Sequence, residues 1–96
     1  MAKALFDGVV VAESDKTEMV EGNHYFPPNS IKMEYFHKTE THTSCPWKGT
    51  ASYYTIKVGD NEYKDAAWVY PEALPKAVHI KDHIAFWKGR GVTIEG

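Results

Sequence analysis

The chain has 96 residues, 43% of them hydrophobic and 25% charged, which fits one domain over residues 1–96 with a core that needs no disulfide staple. A net charge of −2 leaves no field to gather phosphates and excludes a general nucleic-acid binder. No apolar run is long enough to cross a membrane, and Met1 to Asp7 lack the apolar stretch of a secretory leader. The single cysteine excludes an internal disulfide and a cysteine-rich zinc site, and points to a reducing, cytoplasmic setting.

In chain order, Lys3–Phe6 and Val9–Ala12 flank the turn signal Asp7-Gly8 and predict a hairpin. A short strand over Thr17–Val20 is closed by Glu21-Gly22-Asn23. The double proline Pro27-Pro28 makes an extended corner after His24-Tyr25-Phe26. Ile31–His37 alternates apolar and polar residues and reads as a half-buried strand, and the threonine-rich Lys38–Ser44 as a loop. Ala51–Val58 is the clearest strand, with Tyr54 and Ile56 on one face and Ala51 and Tyr53 on the other. Gly59-Asp60-Asn61 turns into a strand over Asp65–Tyr70, where Ala66, Trp68 and Tyr70 share a face opposite Asp65, Ala67 and Val69. Pro71 and Pro75 limit the segment after it to a short helical turn. Strands at His83–Trp87 and Val92–Glu95 complete about eight, with no amphipathic helix of three turns. The fold class is mainly β with very little helix, built from antiparallel sheets.

The densest chemistry lies in Ser44-Cys45-Pro46-Trp47-Lys48-Gly49, just before the clearest strand. Pro46 fixes its own φ and suits the second position of a tight turn, and Gly49 supplies a positive φ at the exit. Cys45 with Lys48 is the catalytic candidate, because a nearby ammonium stabilises a thiolate and His37 or His42 lies upstream as a base. The plainer alternative is a small buried cysteine, since no acid–base partner is fixed by spacing. Lys48 reads as an anion binder or as a partner for Asp65. Trp47, Tyr53, Tyr54, Trp68 and Tyr70 are candidates for an aromatic ligand wall, against the alternative of plain core. Alternation sends Tyr53 and Tyr54 in opposite directions, so one of them is spare for a ligand. His79 and His83 are four apart, but no helix carries them and no acidic pair accompanies them, so no metal and no cofactor is expected.

The string from His42 to Tyr54 closely resembles the bacterial domain-of-unknown-function family 427 (DUF427), sometimes labelled nucleotidyltransferase-like. The resemblance continues through Tyr25-Phe26-Pro27, Asp65–Glu72 and His83–Gly89, and so covers nearly the whole chain. It implies a β-tent: two antiparallel sheets meeting at an angle, with a pocket between them. The same architecture occurs in methionine sulfoxide reductase B and the thalidomide-binding domain of cereblon, whose paired zinc cysteines have no counterpart here. Nor does the chain hold the acidic metal pair or phosphate loop that a nucleotidyltransferase would need. The resemblance carries Cys45, Trp47, Lys48, Tyr53, Trp68 and Tyr70 over as pocket residues.

Three functions are expected from these features. The first is a small-molecule binding domain whose aromatic pocket has Lys48 at the rim to select an anionic or carbonyl group. The second is an enzyme using Cys45 or Lys48 on a small substrate, and the third a protein-interaction module using sheet edges. The expected partner is a small molecule, with no nucleic acid and no membrane, and the chain a monomer or homodimer.

Overall fold

Nine strands carry the computed structural model, which describes residues 1–96. They are β1 (Ala2–Phe6), β2 (Val9–Ser14), β3 (Glu18–Val20), β4 (Asn23–Tyr25), β5 (Phe36–Cys45), β6 (Gly49–Val58), β7 (Asn61–Val69), β8 (Ile84–Phe86) and β9 (Val92–Glu95). All strand pairs are antiparallel, in the orders β2-β1-β9, β3-β4 and β5-β6-β7-β8. The mainly-β reading holds, and helix is confined to 3₁₀ segments at Pro28–Ser30, Met33–Tyr35 and Pro75–Ile80. The sheets number three, because residues 18–25 close on themselves as a separate ribbon. No helix is long and apolar enough to cross a membrane.

Two hairpins turn on matching chemistry. Asp7 and Gly8 have φ of 52° and 81°, and Glu21 and Gly22 have φ of 53° and 80°. Two successive positive φ values are what a two-residue hairpin needs to match strand twist. The first joins β1 to β2, and the second carries Glu21 at the tip of the β3–β4 ribbon.

The four-stranded sheet buries residues on both faces. Ile56, Ala67, Val69 and Phe86 pack with Phe6, Val11 and Val92 from the three-stranded sheet. Ala51, Tyr53, Tyr70 and Ala85 pack with Val20 and Tyr25 of the ribbon and with Ala77 and Ile80 of the last 3₁₀ segment. Fully burying a side chain the size of Phe or Ile contributes about 1.5–3 kcal/mol, so these two layers hold the sheet between them. Paired backbone bonds between Phe26 and Ile84, at 2.8 and 2.9 Å, tie the ribbon's exit to the β8 edge.

Two stretches depart from the sequence pattern. Ile31 to Tyr35 is not a strand: Ile31 makes one bridge to Ala12, and Met33–Tyr35 is a 3₁₀ turn. Lys38–Ser44 is not a loop but most of β5, whose backbone pairs with β6 while most side chains face solvent. A polar edge strand with a register shift between Lys38 and His42 shows no apolar alternation to read. In β7, Ala66 packs with Ala67 and Val69 rather than on the Trp68 face. The cause is Asp65, whose φ of 56° breaks the strand's alternation. The Asp65 carboxylate accepts hydrogen bonds from the Thr39 and Thr41 hydroxyls, both at 2.7 Å, which hold this kink in place.

Candidate functional site

Pro46, Trp47 and Lys48 form the turn between β5 and β6, with Cys45 paired to Gly49 at its neck. Gly49 has φ of 115°, and a Cβ there would lie 3.2 Å from the Glu72 carbonyl oxygen. The residue is glycine because the backbone bends left-handed against a neighbouring segment. The turn folds Lys48 inward, and the residue is only 7% exposed.

The Lys48 ammonium donates a hydrogen bond to the Glu21 carboxylate at the ribbon tip. It also lies 5.4 Å from the Trp47 ring centre and 5.5 Å from that of Tyr70. Two aromatic faces and a carboxylate thus replace the water that burial removes. Burial pulls the Lys48 pKa down, but the Glu21 hydrogen bond and the charges around it outweigh that and hold it above the ordinary 10.5. The hydrogen bond from Lys48 and its charge hold the Glu21 carboxyl below its ordinary value. Burial raises the Tyr70 phenol above 10.0, against the pull of Lys48. At neutral pH the group is therefore an ammonium, a carboxylate and a neutral phenol.

Beside this group lies a cavity of about 400 Å³. Tyr53, Trp68, Tyr70, Phe86 and Trp87 supply its apolar wall. Lys48, Lys88 and Asn23 supply its polar groups. Trp68 stands at the centre of the rings, meeting Tyr25, Tyr53 and Trp87 at centroid distances of 6.3, 6.4 and 6.4 Å. Its Nε1–H donates to the Tyr25 hydroxyl at 3.1 Å, which fixes the indole plane. The Tyr53 hydroxyl is anchored 3.0 Å from that of Thr43. Arg90 stacks on Trp87, 3.9 Å from its ring centre. No cysteine, histidine or carboxylate lines the cavity.

The structure brings four of the candidate residues, Lys48, Tyr53, Trp68 and Tyr70, to one cavity. Three other candidates fall outside the lining. Tyr54 points to the opposite face, meets Phe36 edge-on at 6.0 Å, and lines a different hollow with Ile31 and Met33. It comes directly after Tyr53 in the strand, so period-two geometry sends it away. Cys45 is half-buried and packs against the cluster around Tyr53 and Tyr70 without reaching the cavity wall. Trp47 packs on the same cluster and against Lys48, outside the cavity lining. The Lys48–Asp65 pairing is replaced by Lys48–Glu21, since Asp65 is engaged by the two threonines.

Neither upstream histidine is built to serve Cys45. His42 is three residues away on β5, hence on the other face, with Nδ1 3.3 Å from both the Ser52 hydroxyl and the Ala51 carbonyl oxygen. His37 lies eight residues along the same strand, roughly 26 Å at the usual rise. His83 Nδ1 sits 2.9 Å from the Lys81 carbonyl oxygen, and no three His, Cys, Asp or Glu side chains gather as a metal-holding group. Sequence reasoning missed Glu21, Asn23, Tyr25, Phe86, Trp87 and Lys88. The available signal was Phe86-Trp87-Lys88-Gly89, where aromatic, cation and glycine stand together much as in Trp47-Lys48-Gly49.

Residues 1–95 match the family described as a domain of unknown function (DUF427), and the chain belongs to that family. No curated protein matches the chain.

Proposed function

We propose that the domain binds a small molecule with a flat ring in the cavity beside the Cys45–Gly49 turn. One observation carries this reading: a hollow of about 400 Å³ has five aromatic residues in its wall and polar groups at only a few points. That volume lies in the range of small-molecule sites, and the rings stand beside polar groups that can fix a ligand's orientation. Ring contacts contribute about 0.5–1.5 kcal/mol each beyond area burial, enough for micromolar to millimolar binding of fragments.

Binding is better supported than catalysis. Lys48 is held protonated and so supplies no nucleophilic amine, and Cys45 stands outside the wall. In this reading the small molecule is the partner, and a net charge of −2 offers nothing to nucleic acid. The lone unpaired cysteine supports a reducing, cytoplasmic setting, and the family resemblance a bacterial one.

The test is a screen of small aromatic compounds by tryptophan fluorescence, repeated on Trp68→Ala and on Tyr54→Ala. Ligands of this cavity lose affinity at least about fivefold in Trp68→Ala, a ring contact of about 1 kcal/mol, and keep it in Tyr54→Ala. Hits that bind Trp68→Ala unchanged would place the site elsewhere.

A further inference from the structure

The cavity's charge is one-sided. Lys48 and Lys88 line it and no carboxylate does. Both lysines are held by the tip of the β3–β4 ribbon: Lys48 by the Glu21 carboxylate, and Lys88 by the Gly22 carbonyl oxygen at 3.4 Å. The two ends of the Lys48–Glu21 pair differ in exposure. Lys48's side chain is 9% exposed and fixed between two rings, while that of Glu21 is 55% exposed on a two-residue turn. The buried ammonium requires an anion beside it, but that anion need not be Glu21. Glu21 reaches Lys48 from solvent, so releasing it rehydrates a carboxylate, provided that the replacing anion takes its place beside the buried ammonium.

We propose that the ligand is a flat-ring carboxylate, and that its acid group displaces Glu21 from Lys48 and thereby unlatches the β3–β4 ribbon. This deepens the binding reading above and rests on it. The ring lies against Trp68 and Tyr53, and the carboxylate takes the seat that Glu21 holds in the unliganded chain. Glu21 is then an internal competitor, which lowers apparent affinity by the fraction of time the latch is closed. It also selects by charge: a neutral isostere gains nothing from Lys48, and a cation meets two ammonium groups.

The test uses 2-naphthoate and its neutral counterpart 2-naphthamide, titrated calorimetrically into the wild-type chain and into Glu21→Gln. Glutamine at position 21 keeps an oxygen acceptor for Lys48 on the same exposed turn, and a thermal melt well above the titration temperature verifies that the variant is folded. Naphthoate binds wild type more tightly than naphthamide does. Glu21→Gln tightens naphthoate about fivefold, the gain for a latch closed about four-fifths of the time, and leaves naphthamide within about twofold. Amide exchange at Val20 and Asn23, the pair that closes the ribbon's turn, speeds up with saturating naphthoate but not with naphthamide. If both compounds bind but Glu21→Gln leaves naphthoate unchanged or weaker, the latch is refuted while the cavity stands. If ribbon exchange is unaltered by naphthoate, the unlatching is refuted. If neither compound binds either protein, the latch falls, and the fluorescence screen with Trp68→Ala separately decides whether the cavity binds other rings.

Discussion

Tyr25→Phe isolates what fixes the central ring of the cavity. Tyr25 is 0% exposed, and its hydroxyl accepts the Trp68 Nε1–H at 3.1 Å. Phenylalanine keeps the edge-on ring contact, at 6.3 Å and 81°, and deletes only the acceptor. A net hydrogen bond contributes about 0.5–1.5 kcal/mol, and a fully orphaned donor costs about 1–3 kcal/mol. Trp68 is half-buried beside an open cavity, so water can take over part of its N–H. The cost therefore falls near the lower end, about 1 kcal/mol. For a domain of this size that lowers Tm by about 4–8 °C. In urea the midpoint falls by about 0.3–1 M with an unchanged slope. With its indole free to tilt, a ring-bearing ligand loses about two- to threefold in affinity while the fold persists. An unchanged midpoint together with unchanged affinity would refute the claim that this bond orients Trp68. A loss above about 3 kcal/mol would mean that the hydroxyl supports more than the indole.

Asp65→Ala removes the acceptor for Thr39 and Thr41 and leaves a left-handed residue without its local support. It costs about 2 kcal/mol in urea unfolding, and Asp65→Asn recovers part of that because asparagine tolerates φ of 56°. Gly49→Ala forces a Cβ to 3.2 Å from the Glu72 carbonyl oxygen at a φ of 115°, and lowers stability by about 2 kcal/mol, read by thermal melting. Stability also falls in acid. Lys48 holds the Glu21 carboxyl below 4.5, and the Thr41 and Thr39 hydroxyls outweigh burial to hold Asp65 below 3.8. The unfolded chain takes up these protons first, so their contribution is complete above those ordinary values and is lost as pH falls through the lower folded values. Urea midpoints measured from about pH 6 to about pH 2 show this decline, and Glu21→Gln combined with Asp65→Asn flattens it.

Legibility in the sequence tracks how a residue's partners are distributed. β6 could be read because both its faces are buried, so Ala51 and Tyr53 go to one core layer and Ile56 to the other. β5 could not, since its threonines and histidines serve the backbone ladder and solvent rather than a core. Ile31 to Tyr35 alternates over a span too short to separate a strand from a 3₁₀ turn. The face assignment in β7 held for Trp68 and Tyr70 and failed for Ala66, because one left-handed residue reset the phase. The hydrogen bonds that hold Asp65 there come from Thr39 and Thr41, more than twenty positions upstream.

The Cys45–Gly49 turn contributes Lys48, and not its thiol, to the cavity lining. Its thiol drew attention as a nucleophile, yet the geometry makes Lys48 the residue the turn is built to deliver. Pro46 and Gly49 bend the chain so that a lysine enters the interior, and Trp47 and Tyr70 give its charge a face on either side. What a local motif cannot encode is the counter-ion. Glu21 lies 27 residues away on a ribbon whose register depends on the positive φ values of Glu21 and Gly22. The same holds for Phe86, Trp87 and Lys88, which reach the cavity only because β8 pairs with β7 across the intervening 3₁₀ segment. The half of the wall from β6 and β7 is dictated by strand alternation. Lys48 comes from the local turn, whereas Phe86, Trp87, Lys88 and the counter-ion Glu21 arrive through long-range pairing.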